Sequence, residues 1–392
     1  MADLWLRDVR IAGSFASSDI VIEGGRIRSI GTAPPEWSAP VIDGEACLAL
    51  PGLVDGHAHL DKTLWGLPWR PHSAGAGLAA LIENEREARA GLAPVVERAG
   101  ALLEAYVASG TTHVRTHVDV DPDNGLGALE GVLEAAARFL DQIDVELVAF
   151  PQSGILAAPG TEGLLEAAVQ AGASVVGGID PAGLDHDAVA HLKIVFAIAE
   201  RHGCGIDIHL HDRGTLGRRQ VGLVTERTRA LGLQGKVMIS HAFCLCDGDP
   251  AVDPLLEQLA ELQVGLATVA PAHTPPPPLE RLDELGVRVC LGQDGIRDLW
   301  SPWGTADMLS RAGQLAWRAG YRHDSDIERC VDIATTQGAH ALGIDDLQLA
   351  PGGRGDVVLV EASCPAEAAV THPPRALVVK SGKPVAGRLA RP

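Results

Sequence analysis

Two kinds of hydrophobic pattern divide the chain. The first 48 residues contain short apolar–polar alternations, LWLRDVRI and SDIVIEGGRIRSIG, the second with a Gly-Gly pair at Gly24 and Gly25. Such alternation predicts β-strands joined by a tight hairpin turn. The C-terminal segment has the same kind of strand-like apolar pattern in GDVVLVEAS and RALVVKSGKPVAGR. The two ends together predict a small β-sandwich domain built from residues 1–48 and 350–392.

The middle of the chain, residues 49–349, alternates apolar strand-like runs with segments such as EGVLEAAARFLDQI, in which apolar residues recur at helical spacing. The eight runs are CLALPGLVDGHAHL, GTTHVRTHVDV, DVELVAFPQ, ASVVGGIDP, GCGIDIHLHD, KVMISHAF, VGLATVAP and VRVCLGQD. Eight strands separated by helices predict an α/β fold, a (β/α)8 TIM-like barrel. A doubly wound open sheet is the alternative, but it would not obviously use eight strands.

Composition and charge exclude several classes of protein. The net charge is −19, and no run rich in lysine and arginine is present, which argues against nucleic-acid binding through phosphates. No uncharged apolar stretch approaches the roughly 20 residues of a membrane span, and MADLWLRDVRIAGSF lacks the pattern of a signal peptide. The seven scattered cysteines contain no C-x-x-C pair and fit reduced thiols. We therefore expect a cytoplasmic protein with no nucleic-acid or membrane partner.

Polar residues gather where the predicted strands end, which is where (β/α)8 barrels carry their catalytic groups. They are His57 and His59, then Arg115, His117 and Asp119, then Gln152, Asp180, His209, His211, Asp212, His241 and Asp294. Residues two apart share one side of a strand, so His57 and His59 can both face the barrel mouth. Two imidazoles there, a third from the fifth strand and a carboxylate from the eighth can close around one divalent cation. A lone H-x-H is usually not a metal site, but histidines and an aspartate at the ends of several strands are far less likely to arise together by chance, so a metal site is expected.

The motifs at these strand ends resemble the amidohydrolase superfamily. The segments are DGHAHLDKT, RTHVDV, FPQSG, IDIHLHD, SHAF and GQDGIRDLWSPWGTADML. Within the superfamily they resemble the cytosine deaminase-like branch, which includes N-isopropylammelide-type aminohydrolases, and the resemblance covers essentially the whole chain. It implies a barrel enzyme whose metal ligands are His57, His59, His209 and Asp294. It also implies that His241 handles protons on the nucleophilic water and that Gln152 orients the substrate ring.

One metal ion is expected rather than two. Some members of the superfamily bridge two metals with a modified lysine on the fourth strand, but none of the five lysines here ends that strand, where GGIDP stands. Zn²⁺ or Fe²⁺ suits the nitrogen and oxygen ligands, with Mn²⁺ as a further candidate. Such an ion lowers the pKa of a water from about 16 to about 7 and supplies a hydroxide nucleophile.

Two positions depart from the cytosine deaminase pattern. Three residues after His209, where the resemblance implies a glutamate that protonates the ring nitrogen, stands Asp212, preceded by an extra His211. Either Asp212 or His211 is expected to carry that proton. Directly after Asp294, where the resemblance implies a second acid near the leaving amino group, stands Gly295. Cytosine itself is therefore not the expected substrate.

The expected activity is hydrolysis of a C–N bond in an amino-substituted N-heterocycle (cytosine-like, pterin, purine or triazine), with release of ammonia or an amine. Asp294 would pass a proton to the departing nitrogen, and Lys62 and Trp303 are predicted to contact substrate, although a solvated lysine or a packing tryptophan is the plainer alternative. A hydrolase of a cyclic or exocyclic amide, using the same hydroxide, is the enzymatic rival. A binding module without turnover is disfavoured because the histidines and Asp294 are all present. The resemblance also makes a homo-oligomer plausible.

Overall fold

A computed structural model of the chain describes residues 2–14, 16–31, 36–73, 75, 78–89 and 91–390. Of the predicted terminal β-domain, residues 1, 15, 32–35, 391 and 392 lie outside this described part. Among the described residues no helix is both long and apolar enough to cross a bilayer.

The chain begins with five strands of one sheet. They are β1 (Leu4–Ile11), β2 (Ser17–Glu23), β3 (Arg26–Ile30), β4 (Val41–Asp43) and β5 (Leu48–Pro51). Strand β2 lies antiparallel to both β1 and β3, whereas β4 and β5 run parallel to β1. Gly24 and Gly25 connect β2 to β3 with φ of 55° and 77°, which a residue with a Cβ rarely adopts. The hairpin expected from this Gly-Gly pair is present.

Eight parallel strands follow in sequence order and form a ring. They are β6 (Leu53–Ala58), β7 (Thr111–Asp119), β8 (Asp144–Phe150), β9 (Val175–Ile179), β10 (Gly205–His209), β11 (Val237–Ser240), β12 (Gly265–Thr268) and β13 (Val289–Leu291). A parallel bridge between Ala58 and Asp294 brings the chain beyond β13 back beside β6. The predicted (β/α)8 barrel is confirmed.

Helices connect these strands. They are α1 (Leu78–Arg89), α2 (Val95–Ala108), α3 (Gly127–Ala137), α4 (Thr161–Ala171), α5 (Ala188–His202), α6 (Gly214–Leu231), α7 (Asp253–Glu261) and α8 (Leu279–Leu285). Short 3-10 segments span Phe243–Leu245 and Pro250–Val252. The strands β6, β9, β11, β12 and β13 are buried at every position, because helices cover the outside of the ring and side chains fill its inside. This double burial explains why the strands were recognisable as continuous apolar runs.

The C-terminal part completes the first sheet. It contains α9 (Met308–Ala319), α10 (Asp324–Ile333), α11 (Thr336–Ala341), β14 (Val357–Val360), α12 (Pro365–Thr371), β15 (Arg375–Lys380), β16 (Lys383–Ala386) and a 3-10 turn at Arg388–Ala390. Strand β14 pairs antiparallel with both β5 and β15, so the sheet runs β16-β15-β14-β5-β1-β2-β3 with β4 beside β1. The β-domain expected from the two chain ends is confirmed.

The first apolar run of the barrel region is two strands. Leu48–Pro51 belongs to the terminal sheet, whereas Leu53–Ala58 is the first barrel strand, and Gly52 lies between them. A Cβ built on Gly52 would overlap the side chain of Thr112 in β7, so the chain passes this close only as glycine. The terminal sheet thus extends a few residues past position 48, and the division of domains at 48/49 and 349/350 stays a prediction.

Candidate metal and active site

Five histidine rings meet at the C-terminal mouth of the barrel. His57 comes from β6, His59 follows that strand, His117 lies in β7, His209 ends β10 and His241 follows β11. The His57 ring centroid lies 4.2 Å from that of His117, 4.6 Å from that of His209 and 4.7 Å from that of His241. All five side chains are buried. Histidines on strands that are far apart in sequence therefore lie close together in the structure.

A carboxylate completes this cluster. The Oδ1 atom of Asp294 lies 3.3 Å from His59 Nε2 and 3.7 Å from His57 Nε2. The backbone N–H of Asp294 donates to the His57 carbonyl at 2.8 Å, so closure of the ring of strands places the acid against the histidine pair.

Three residues at the mouth have a backbone conformation that favours glycine. Asp294 and His241 both have φ of 67°, and Asp180 after β9 has φ of 32°. Non-glycine residues rarely adopt positive φ, and such strained positions are frequent at functional sites. Asp180 and His241 directly follow β9 and β11, and Asp294 lies three residues after the end of β13.

Burial opposes protonation of four of these five imidazoles. It lowers the pKa of His59 to about 3 and that of His117 to about 4, and it holds the pKa values of His209 and His241 well below the ordinary value near 6.5. Burial opposes ionisation of Asp294, but the contacts with His57 and His59 keep its pKa well below the usual range. The mouth therefore presents uncharged nitrogen donors and one carboxylate.

These donors fit a divalent metal ion. Both ring nitrogens of His209 and of His241, together with His57 Nε2, are buried without a hydrogen-bond partner among the described residues. Buried polar atoms are nearly always paired, so such a group of unpaired ring nitrogens indicates a missing partner. Nitrogens of His57, His59, His117 and His209 lie within 4.8 Å of one another, as do donor atoms of His57, His241 and Asp294. Neutral imidazole and carboxylate are the ligands of Zn²⁺, Fe²⁺ and Mn²⁺.

A hydrogen-bonded chain orients His57. The Nδ1 atom of His57 lies 2.9 Å from Ser240 Oγ, and that hydroxyl donates to Asp207 Oδ1 at 2.6 Å. Asp207 Oδ2 also lies 3.3 Å from Arg115 Nη1 and 3.5 Å from His117 Nε2. With Nδ1 committed to the serine, the Nε2 lone pair of His57 is left for the mouth of the barrel. Sequence reasoning missed Asp207 and Ser240, although Asp207 lies two residues before His209 on the same side of the strand.

His211 and Asp212, the two candidates for protonating a ring nitrogen, lie in different places. His211 Nδ1 is 2.7 Å from Asp180 Oδ2, and its ring centroid is 4.4 Å from that of His241. Burial opposes protonation, but the bond to Asp180 raises the pKa of His211 above its ordinary value.

Asp212 faces away from this group. Its Oδ2 atom accepts the backbone N–H of Gly183 at 3.0 Å and the side-chain amide of Gln220 in α6 at 2.8 Å. The structure thus brings His211 to the histidine cluster and ties Asp212 to the loop after β9. Both residues lie just beyond the end of β10 at His209, and the contacts with Asp180 on one side and with Gly183 and Gln220 on the other separate them.

Lys62 and Gln152, both singled out in the sequence, lie in contact. Lys62 Nζ donates to Gln152 Oε1 at 2.5 Å and lies 3.1 Å from Asp119 Oδ1. The lysine is buried, which disfavours its charge, but Asp119 and Glu85 raise its pKa above the ordinary value. A fixed cation and a side-chain amide are therefore available together beside the mouth.

The aromatic residue next to this pair is Trp300, not Trp303. The Lys62 ammonium lies 5.0 Å from the centroid of the Trp300 ring, and Trp300 Nε1 donates to Glu85 Oε2 at 2.5 Å. The side chain of Trp303 is 78% exposed and lies outside this group. Sequence alone treats the two tryptophans of one loop alike, and only the contact with Lys62 and Glu85 separates them.

A family model described as the amidohydrolase family matches residues 40–386. Among characterised relatives, the N-isopropylammelide isopropyl amidohydrolase of Pseudomonas sp. (strain ADP) is 30% identical over 392 residues, covering 97% of this chain and 96% of that protein.

Solved structures show the same relationship. The crystal structure of N-isopropylammelide isopropylaminohydrolase from Burkholderia multivorans ATCC 17616 is similar with 46% identity and a TM-score of 0.95, covering all of both chains. The 5-methylcytosine deaminase from Klebsiella pneumoniae, liganded with 5-fluorocytosine, is 28% identical with a TM-score of 0.85, covering 98% of this chain and 97% of that one.

Proposed function

The chain belongs to the amidohydrolase family and is a hydrolase of C–N bonds, and we propose that it removes an amino or alkylamino group from a small N-heterocycle. A triazine with an alkylamino substituent is the first substrate to consider. Support comes from the two relatives named for N-isopropylammelide, which align with nearly the whole chain. The deaminase named for 5-methylcytosine extends the range to other aminated rings.

The observation that carries this proposal is the set of buried imidazole nitrogens that have no hydrogen-bond partner in the described part of the chain, beside Asp294, whose pKa lies well below the usual range. We assign one divalent ion, Zn²⁺ or Fe²⁺ with Mn²⁺ as a further candidate, to His57, His59, His209 and Asp294. When bound, such an ion lowers the pKa of water to about 7 and makes hydroxide available at neutral pH. One ion is proposed because no lysine stands at the end of β9 to bridge a second.

The proton transfers are assigned to residues at the mouth. His241, kept neutral by burial, is free to hold a proton of the attacking water at a ring nitrogen. The Asp294 carboxylate collects a proton of the attacking water and passes it to the departing nitrogen. His211, fixed by Asp180 at Nδ1, donates from Nε2 to the ring nitrogen of the substrate. Asp212 was the alternative donor, and its bonds to Gly183 and Gln220 favour His211 for this role.

Substrate contacts are assigned to the other side of the mouth. The Lys62 ammonium and the Gln152 amide suit a ring oxygen and a ring N–H, because together they offer a cation, a donor and an acceptor. The Trp300 ring, next to Lys62, offers a flat wall for a flat substrate. Trp303 stays a predicted contact.

The test combines metal analysis with product analysis. Protein loaded with Zn²⁺, Fe²⁺ or Mn²⁺ is incubated with N-isopropylammelide, 5-fluorocytosine, pterin and adenine, and ammonia, isopropylamine and ring products are separated by chromatography. We expect one ion per chain and amine or ammonia release from at least one ring.

Two variants make the test specific. His209→Ala should lose both the ion and turnover, whereas His340→Ala, at a surface histidine paired with Asp345, should lose neither. Protein that retains no ion would contradict the metal assignment. A ring-opened product without amine release would favour the cyclic amide hydrolase instead.

A further inference from the structure

The loop after β13 places a carboxylate where the side chain of residue 295 would lie. Gly295 follows Asp294 directly and has no side chain of its own. A Cβ built on Gly295 would overlap the Oδ2 atom of Asp298. An acidic oxygen from three residues further along thus fills the space beside Asp294.

Asp298 is held firmly by one of its two oxygens. Its Oδ1 atom accepts the backbone N–H groups of Trp300 at 2.8 Å and Ser301 at 2.6 Å, and its own N–H donates to the Ser301 carbonyl at 2.9 Å. No donor among the described residues reaches its Oδ2 atom. Asp298 therefore keeps one acceptor oxygen free while the other fixes its position.

The loop itself is tied to the segment that follows β6. Thr63 Oγ1 donates to the Ile296 carbonyl and the Leu64 N–H donates to the Arg297 carbonyl, both at 2.8 Å. This segment also carries His59 and Lys62. Asp298 is consequently fixed relative to both the metal-ligand cluster and the Lys62–Gln152 pair.

The surroundings of Asp298 shift the pKa of its carboxyl group. Burial, with a smaller contribution from the neighbouring Asp294, raises the pKa of Asp298 to about 7, although the N–H groups of Ser301 and Trp300 and the charge of Lys62 act to lower it. A carboxylate of this kind accepts a hydrogen bond well, and it is only 7% exposed, so water competes little for its free oxygen.

We propose that Asp298 Oδ2 accepts the N–H of the substituent that leaves, and so determines which amines this enzyme removes. The inference rests on the proposed function, because Asp294 next to it is assigned to the departing nitrogen. Primary and secondary amino groups have the N–H that this oxygen needs. A tertiary amino group has none and leaves the buried carboxylate unpaired, which disfavours its binding.

The rival explanation is that Asp298 only caps its loop. Asparagine separates the two roles, since the amide oxygen of Asp298→Asn can still accept the N–H groups of Trp300 and Ser301 while an NH₂ replaces Oδ2. A second variant, Gly295→Asp combined with Asp298→Ala, removes the cap and returns a carboxylate to the same space from the neighbouring position.

The experiment measures kcat and KM for N-isopropylammelide and for its N-methyl derivative, which has a tertiary amino group, with metal content determined for each protein. Asp298→Asn should lose roughly 10–100-fold in kcat/KM for the secondary amine and change little for the tertiary one. The double variant should recover at least about tenfold over Asp298→Ala alone.

The outcomes separate the inference from the proposed function. A wild-type enzyme that releases amine, combined with an Asp298→Asn variant that keeps full activity and selectivity, would overturn the inference alone. Loss of metal from Asp298→Asn would also overturn it, because the residue would then be maintaining the metal site. Absence of turnover by the wild type on every aminated ring tested would overturn the proposed function and this inference with it.

Discussion

The hydroxyl of Ser240 offers a quantitative test of how the fold orients a metal ligand. It accepts from His57 Nδ1 at 2.9 Å and donates to Asp207 Oδ1 at 2.6 Å, and all three side chains are fully buried. Ser240→Ala removes both hydrogen bonds, and because the surroundings are fully buried, the neighbouring side chains have little room to rearrange. His57 would then lose the contact that selects its tautomer and its ring orientation.

The structure allows the size of two effects to be worked out. Loss of a residue that hydrogen-bonds a metal-binding histidine typically weakens metal binding about 10–100-fold, which is roughly 1.4–2.7 kcal/mol. In the metal-free protein the variant also leaves His57 Nδ1 and Asp207 Oδ1 without this partner. Unsatisfied buried groups cost about 1–3 kcal/mol in the free energy of unfolding, and Asp207 retains Arg115, so we expect the lower half of that range.

The assay is a competition titration of Zn²⁺ against a chromophoric chelator, followed by urea unfolding of the metal-free protein. Thr228→Val is the matched control, because Thr228 is equally buried but its hydroxyl donates to the Val224 carbonyl within α6. The control should lose some stability and no metal affinity. If folded Ser240→Ala binds Zn²⁺ as tightly as the wild type, the serine does not orient His57.

Two further predictions concern buried charge. Lys62→Met should lower the free energy of unfolding by roughly 3–5 kcal/mol, because it leaves the buried Asp119 without its cation. The double variant Lys62→Met with Asp119→Asn should recover most of that loss, as measured by urea unfolding. Equal stability of the single and the double variant would contradict the pairing of Lys62 with Asp119. Burial opposes ionisation of Asp185, but His191 and three backbone N–H groups lower its pKa to about 2. The ionised Asp185 therefore stabilises the folded protein above about pH 4, and this stabilisation is lost as the pH falls toward about 2. The stability difference between wild type and Asp185→Asn, measured by urea unfolding, should therefore shrink over that window, and a constant difference would refute the linkage.

Much of the barrel could be predicted because its strands are buried on both faces. Continuous apolar runs such as Val175–Ile179 are distinct from the amphipathic helices between them, so their number and order were readable. The boundary at Gly52 could not be predicted, since β5 and β6 are both apolar and their sequences do not show that they belong to different sheets. Pairing of β5 with β1 and with β14, the latter roughly 300 residues further along the chain, separates them.

The sequence by itself determined the kind of chemistry and the strands that supply it. Histidines two apart at a strand end, and acids at the ends of others, must converge in a parallel barrel, because every strand ends on the same rim. The tertiary structure decided what each side chain does there. Packing turns His211 toward His241 and Asp212 toward Gly183, sets Trp300 beside Lys62, and folds Asp298 back into the space beside Gly295. Such choices depend on loop geometry and on contacts between distant segments, which local sequence does not encode.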